Sequence, residues 1–420
     1  MRKSKIVIVI VLITLALSFD IYKPFLYHRL NYNKVLSLDK PAAHYDIDYL
    51  WYHLEDEYPY LNTAFESIDK KAEEYHLYLN NQIERTTDFS ANTYMQYLQK
   101  IPTDFRHRGD FTLVLPNQYY YLYDVWTRGK NVTKQLQNNY NELIKSVSWN
   151  TYNILKKLDI SQLAFSVPSN STKGFLTEHI SEDIAYLKIE NGSEARIDSD
   201  CDALRDFFKS IHGKNYLIID LPESNIYSSE YFIKNIISPN LTTDYGFSSY
   251  ALYTEEGFKK RQAEDAFGGL ETGSINELAE ITQEVNENDL ARLKYYVKSN
   301  HHIEAVNEEP LFSGEIILLT DNYIFGVGEY LTRIADQSGF ATLVGKPTRG
   351  KGVIGDMDVS VISLPKSGMV FTYQLKYDLW DDGTTLVKPI SPDFLALDQE
   401  TPLEASMRYI EENRSVIIRR

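Results

Sequence analysis

The sequence predicts an α/β protein: a core with a buried sheet and flanking helices, preceded by a mainly helical N-terminal domain. Three observations carry this. Beyond Glu182, short apolar strands alternate with helical stripes, the pattern of a largely buried sheet. Over residues 43–165 the apolar positions recur mostly at helical spacing. Hydrophobic residues make up 43% of the 420-residue chain and charged residues 24%, with both signs mixed, which is enough apolar mass for a real core.

The elements follow in chain order. Arg2, Lys3 and Lys5 precede an apolar run over residues 6–19. That run is shorter than the ~20 residues of a spanning helix and has the layout of a secretory signal. Ala16 and Ser18 offer a weak cleavage site, but Ile21, Tyr22, Phe25, Leu26 and Tyr27 extend the apolar character past it. Residues 1–27 are therefore read as an uncleaved signal anchor and stalk, with cleavage and secretion as the alternative. No cysteine follows the run, which rules out a lipoprotein anchor. The leading cations place the body outside the cytoplasm, on a single-pass cell-membrane protein. The lack of cysteine pairs fits a Gram-positive bacterial surface.

In the N-terminal domain, Ile47, Leu50, Trp51 and Leu54 fall on one helix face, with Asp46 as its cap and Pro59 as its stop. Further helices are expected over 68–83, 91–99 and 132–158. Over 105–123 the alternation of Phe111, Leu113 and Leu115 predicts a strand carrying Tyr119, Tyr120 and Tyr121. Those tyrosines are read as packing against a helix, not as a peptide grip. The loop at 166–173, with Pro168, Ser169, Asn170 and Ser171, marks the domain boundary. The core, 175–400, has strands over 184–189, 216–221, 315–320 and 341–344 and a helix over 328–336. Leu204, Phe207, Phe208 and Ile211 form a helical stripe, and 228–237 reads as helix. An acidic, partly helical insertion occupies about 239–308, and residues 401–420 form a C-terminal helix and tail.

Composition narrows the function. A net charge of −16 argues against a nucleic-acid partner. The single cysteine, Cys201, excludes an internal disulfide and a Cys-rich metal site, and the nine histidines show no HExxH-like spacing. No metal and no cofactor is expected.

Several landmarks then stand in a fixed order: a strand over 184–189; Asp220–Leu221; a strand, turn and helix over 319–330; Val344–Gly345, Thr348 and Gly350–Lys351–Gly352; Leu364–Pro365; Asp382–Gly383; Pro392–Asp393. Together they resemble the catalytic core of the tail-specific (C-terminal-processing) serine protease family. Asp220–Leu221 sits where that family has an Asp-Leu-Arg-x-Asn-x-Gly-Gly loop. Residues 344–352 resemble its Val-Gly…Thr-x-Gly-Lys-Gly signature, and residues 50–59 its N-terminal helix. No PDZ-like glycine motif is visible.

The resemblance implies acyl transfer by a serine hydroxyl, with a desolvated lysine as base. Lys351 occupies the lysine position. The family's serine lies three residues before a glutamate at a helix start; here the glutamate is Glu329, so the serine position is Gly326. The interval from Gly326 to Lys351 is 25 residues, as the family spacing requires, and no serine lies between Ser313 and Ser338. The family's glycine loop, which helps supply oxyanion donors, is altered too: Pro222 and Ser224 replace its arginine and asparagine, and Ile226 and Tyr227 replace its two glycines. His107, within Arg106–His107–Arg108–Gly109, stands about where some members place a catalytic histidine. Ile226, Tyr227 and Glu329 are the candidate binding positions, and Glu329 also suits a helix N-terminus.

The expected protein is a proteolytically inactive, membrane-anchored protease-like domain whose partner is a peptide or protein C-terminus. Two alternatives stay open: an active serine-type peptidase with atypical catalytic residues, and a purely structural interaction module.

Overall fold

The computed structural model describes residues 38–66, 71–128, 133–157, 174–221, 228–350, 359–385 and 387–417. Helix α1 (Lys40–Glu57) begins at Asp39, whose carboxylate accepts the Ala42 N–H at 2.9 Å. Asp46, expected as the cap, is instead fully buried in the helix and accepts the N–H groups of Lys366 and Ser367, each at 2.8 Å. A carboxylate among apolar neighbours on an inward face needs such partners, and the sequence around it does not reveal them.

The short helix α2 (Leu61–Phe65), α3 (Ala72–Arg85) and α4 (Ala91–Asp104) follow. The strand expected over 105–123 is a correction. Only β1 (Thr112–Leu113) is extended, and α5 (Pro116–Arg128) begins three residues later. Pro116 presets a helical φ at the first position. The tyrosines then fall at helical spacing: Tyr119 is buried, stacked on Tyr152 at 4.0 Å, and Tyr121 is exposed. Helices α6 (Lys134–Leu143) and α7 (Ser146–Lys157) complete the N-terminal region.

The core contains β2 (Phe175–His179), β3 (Ile184–Ile189), α8 (Ile197–Ser210), β4 (Tyr216–Asp220) and the single turn α9 (Ser229–Phe232). Next come β5 (Tyr245–Thr254), α10 (Glu255–Ala263), β6 (Glu271–Ser274), α11 (Glu287–Arg292), β7 (Leu293–Ile303), β8 (Glu315–Thr320), α12 (Val327–Gln337) and β9 (Thr342–Gly345). The chain closes with β10 (Val359–Ser363), β11 (Val370–Gln374), β12 (Lys376–Trp380), β13 (Phe394–Leu395) and α13 (Pro402–Ile417).

Three sheets result. The central sheet runs β13-β9-β8-β4-β3-β2, parallel except where β2 meets β3. Leu217 and Ile219 face one apolar cluster with α8 and α12, and Ile218 faces the cluster under α13. Both faces are covered, as continuous apolar strands require. The second sheet, β12-β5-β7-β6, is antiparallel. The insertion at about 239–308 is partly helical, through α10 and α11, and also carries the long β5–β7 pair, which the sequence pattern did not indicate. The third sheet, β1-β11-β10, joins the N-terminal helical region to the later part of the chain: Thr112 and Leu113 pair with Thr372 and Phe371.

The N-terminal helices do not build their core alone. Leu50, Leu54, Tyr58 and Phe111 share one cluster with Val361, Phe371, Tyr373 and Leu379. Asp289 of α11 fastens this cluster to the insertion. It is fully buried and accepts from Asn62 N (2.8 Å), Asn62 Nδ2 (3.0 Å), Thr63 N (2.7 Å) and Thr63 Oγ1 (2.7 Å). Asp289→Ala would leave several of these donors without an acceptor. We expect it to lower unfolding stability by about 3 kcal/mol, read as a fall in the urea midpoint with an unchanged m-value.

Candidate functional site

The turn between β8 and α12 is built from local polar contacts. Asp321 closes it, its carboxylate accepting the Tyr323 N–H at 2.7 Å and its carbonyl the Ile324 N–H at 3.1 Å. Gly326 stands immediately before α12 with φ 59° and ψ −123°, and its carbonyl accepts the Tyr330 N–H at 3.1 Å. L-residues enter that region only under strain, and sharp strand-to-helix turns that present nucleophiles are strained in this way. Among the described residues, nothing lies within 4 Å of a β-carbon added at Gly326. They leave space for a side chain there; glycine brings no hydroxyl to it.

Three residues on, Glu329 is fully buried and its carboxylate accepts the Gly350 N–H. The Gly350 carbonyl accepts from the Arg108 guanidinium, which also reaches the carbonyl of Val387. Gly350 has φ +70°, and a β-carbon there would come within 2.8 Å of the Val387 oxygen. Only glycine fits. The approach to Gly350 is sewn to the turn of Gly326: Lys346 N–H donates to Thr320 O at 2.9 Å and Arg349 N–H to Ile324 O at 3.1 Å. Thr348 and Ile390 exchange bonds of 3.1 and 2.9 Å. Burial pushes the Arg108 pKa down, but a guanidinium stays charged.

His107 is half-buried, in left-handed conformation (φ 54°, ψ 28°), with Nδ1 donating to the Phe111 carbonyl at 3.1 Å. Arg106 and Asp110 are also left-handed, at φ 52° and 51°. Each such residue costs about 1–2 kcal/mol. Tyr58 helps to hold this turn, its hydroxyl donating to Arg108 O at 2.8 Å. The turn delivers Arg108 to Gly350, so the structure brings Glu329, Gly350 and the segment after His107 together beside Gly326. Lys351, Ile226, Tyr227, Pro222 and Ser224 lie outside the described residues. Glu329, a candidate for binding, spends a carboxylate oxygen on the Gly350 main chain. In the sequence Arg108 stands out only as a neighbour of His107; no local signal marks a contact across 242 positions.

No family model matches the chain, and no curated protein matches it by sequence. Solved structures match by shape. A candidate peptidase from Parabacteroides merdae has a TM-score of 0.50 at 14% identity, over 87% of this chain and 96% of that one. Mature CPAF has a TM-score of 0.53 at 10% identity, over 90% of this chain and 97% of that one. The photosystem II D1 C-terminal processing protease matches in part, with a TM-score of 0.32 at 11% identity, over 53% of this chain and 48% of that one. At these identities the likeness is one of fold alone: this chain shares the fold of the Parabacteroides merdae structure and of CPAF.

The Glu329–Gly350 bond is open to a direct measurement. Glu329→Ala is expected to speed hydrogen exchange at the Gly350 amide at least tenfold and to cost about 3 kcal/mol of stability. Glu329→Gln, which keeps an acceptor oxygen, is expected to keep most of that protection.

Proposed function

We propose that this protein binds extended peptides without cleaving them, as a membrane-anchored, extracytoplasmic protein of tail-specific-protease-like fold. The observation that carries the reading is Gly326: the turn has the strained geometry of a nucleophile position and an open β-carbon direction, with no hydroxyl to act. Removing a serine nucleophile costs roughly a millionfold in turnover, or about 8 kcal/mol of barrier. The replacement of both loop glycines by Ile226 and Tyr227 supports the same reading. Binding would use main-chain hydrogen bonds to an extended segment, which survive the loss of the nucleophile.

The anchor rests on the sequence of residues 1–27, which lie outside the described residues. Among the described residues no helix is long and apolar enough to cross a membrane. The full chain expressed in a Gram-positive host is expected in the membrane fraction, released by detergent and not by high salt; recovery in the medium would overturn the anchor.

Activity is tested with fluorescein-labelled, unstructured peptides, following anisotropy for binding and mass spectrometry for cleavage. Wild-type protein is expected to bind and to leave the peptides intact; cleavage by wild type sinks the proposal. Gly326→Ser is expected to fold, because the site is open, with a stability loss of about 1–3 kcal/mol from the positive φ.

A further inference from the structure

A cavity of about 540 Å³ lies between the face of the β12–β5–β7 sheet and the chain that follows Ser228. Its size falls within the usual range of ligand pockets. Tyr330 forms part of its wall, and the Tyr330 N–H is bonded to Gly326 O, so the cavity begins one helical turn from Gly326.

Its polar groups are arranged around His301. Ser249 Oγ lies 2.8 Å from His301 Nε2, and the imidazole stacks on Phe247 at 4.5 Å and 13°. Burial, then the nearby Lys376 charge, holds the His301 pKa below its ordinary value, so the ring is neutral at pH 7. Lys376 pairs with Asp378 at 3.3 Å, and Lys234 with Glu230 at 2.6 Å. The hydroxyls of Ser229 and Ser299 also line the space. Hydroxyls, imidazole and ammonium thus supply donors, and each carboxylate of the wall already has a lysine. A group that accepts up to four hydrogen bonds and donates none complements this wall best.

We propose that this cavity binds a carboxylate group of a peptide, received by His301, Ser299 and Lys376. The inference rests on the peptide-binding reading and names the chemistry that reading leaves open. The carboxylate can come from a chain terminus or from an Asp or Glu side chain. A primary amide would fit less well, since it brings donors to a wall whose carboxylates are taken.

Among the described residues, the charges lining the cavity around His301 are Lys376 and Asp378 from β12 and Lys234 and Glu230 from the chain after Ser228, with Tyr330 from α12 and His302 at the rim. The lysines and carboxylates balance, so a bound carboxylate would dominate the field at the imidazole. It favours the imidazolium and raises the His301 pKa. By linkage, affinity then rises as pH falls from 7.5 to 5.5, while the ligand carboxylate stays ionised.

The test uses full-length protein and three small probes: N-acetyl-Ala-Ala with a free terminus, N-acetyl-Ala-Ala amide, and N-acetyl-Glu amide. The His301 ring signal is followed by NMR across pH. The free acid, the Glu amide or both are expected to raise the His301 titration midpoint and to bind at least fivefold more tightly at pH 5.5 than at 7.5. The Ala-Ala amide is expected to do neither. Which acid binds identifies the source of the carboxylate. His301→Gln is expected to abolish the pH dependence, and Ser299→Ala to weaken binding without disturbing the Lys376–Asp378 pair. Equal effects of acids and amide, or no shift with any probe, overturn the proposal. Longer peptides separate the two readings: if they bind regardless of their carboxylates, the cavity proposal fails and peptide binding stands. If they do not bind while the small acids still shift His301, the reverse holds.

Discussion

Gly350 is held through both of its backbone polar groups, and the rest of the site depends on it. Glu329, at the start of α12 over the central sheet, takes its N–H. Arg108, from the N-terminal helical region, takes its carbonyl. Hydrogen bonds to charged groups contribute about 1.5–3 kcal/mol each, and an orphaned buried partner costs a similar amount. Neither bond forms unless both parts of the chain are in place. The left-handed turn over Arg106–Asp110 makes sense in this light: its strain is offset by the fit it gives Arg108.

The same frame explains how this strand-to-helix turn is held with Gly326 at its corner. At φ 59° and ψ −123° a serine carries strain of about 1–3 kcal/mol, sustained by its surroundings. Glycine carries no such strain. Gly326 therefore favours the stability of the turn, and a serine there would gain a hydroxyl at a cost in stability, the usual direction of a stability–activity trade-off. The bonds of Lys346 to Thr320 and of Arg349 to Ile324 hold the segment whether or not a hydroxyl is present.

What could be read from the sequence follows a physical division. Strands Ile184–Ile189, Tyr216–Asp220 and Glu315–Thr320 were legible because a strand buried on both faces is a continuous apolar run. Helix α12 was legible through the glutamate in its first turn and its place after an apolar strand. Helix α5 was not, because Phe111, Leu113 and Leu115 alternate across a short strand and the start of a helix, a window too short to fix the period. The β5–β7 pair was hidden by serines and tyrosines on a half-buried sheet, beside acidic helices that dominated the composition. At the site, Gly326 and Glu329 were legible as local spacing. Arg108 and the Ser249–His301 contact were not, because they meet only after folding, across 242 and 52 positions.

The long-range carboxylates share one logic. Asp46 holds Lys366 and Ser367, Asp289 holds Asn62 and Thr63, Glu57 holds Lys260 and Tyr373, and Glu329 holds Gly350. Apolar contact is non-directional and tolerates small slips, whereas a buried carboxylate satisfied by particular donors does not. Their responses to acid differ. Burial pushes Asp46 and Asp289 up, so the protonation-linked part of their effect favours the fold in acid and fades as pH rises through their folded pKa, while the donors they satisfy still need an acceptor above it. Burial also acts on Glu57, but the His53 hydrogen bond and the Lys260 charge outweigh it and hold the group at about 2. Its contribution is present above pH 4.5 and lost as pH falls toward 2. Acid between pH 4.5 and 2 therefore weakens the fastening at Glu57, where α1 meets α10 and β11, while Asp46 and Asp289 add no loss of their own in that window.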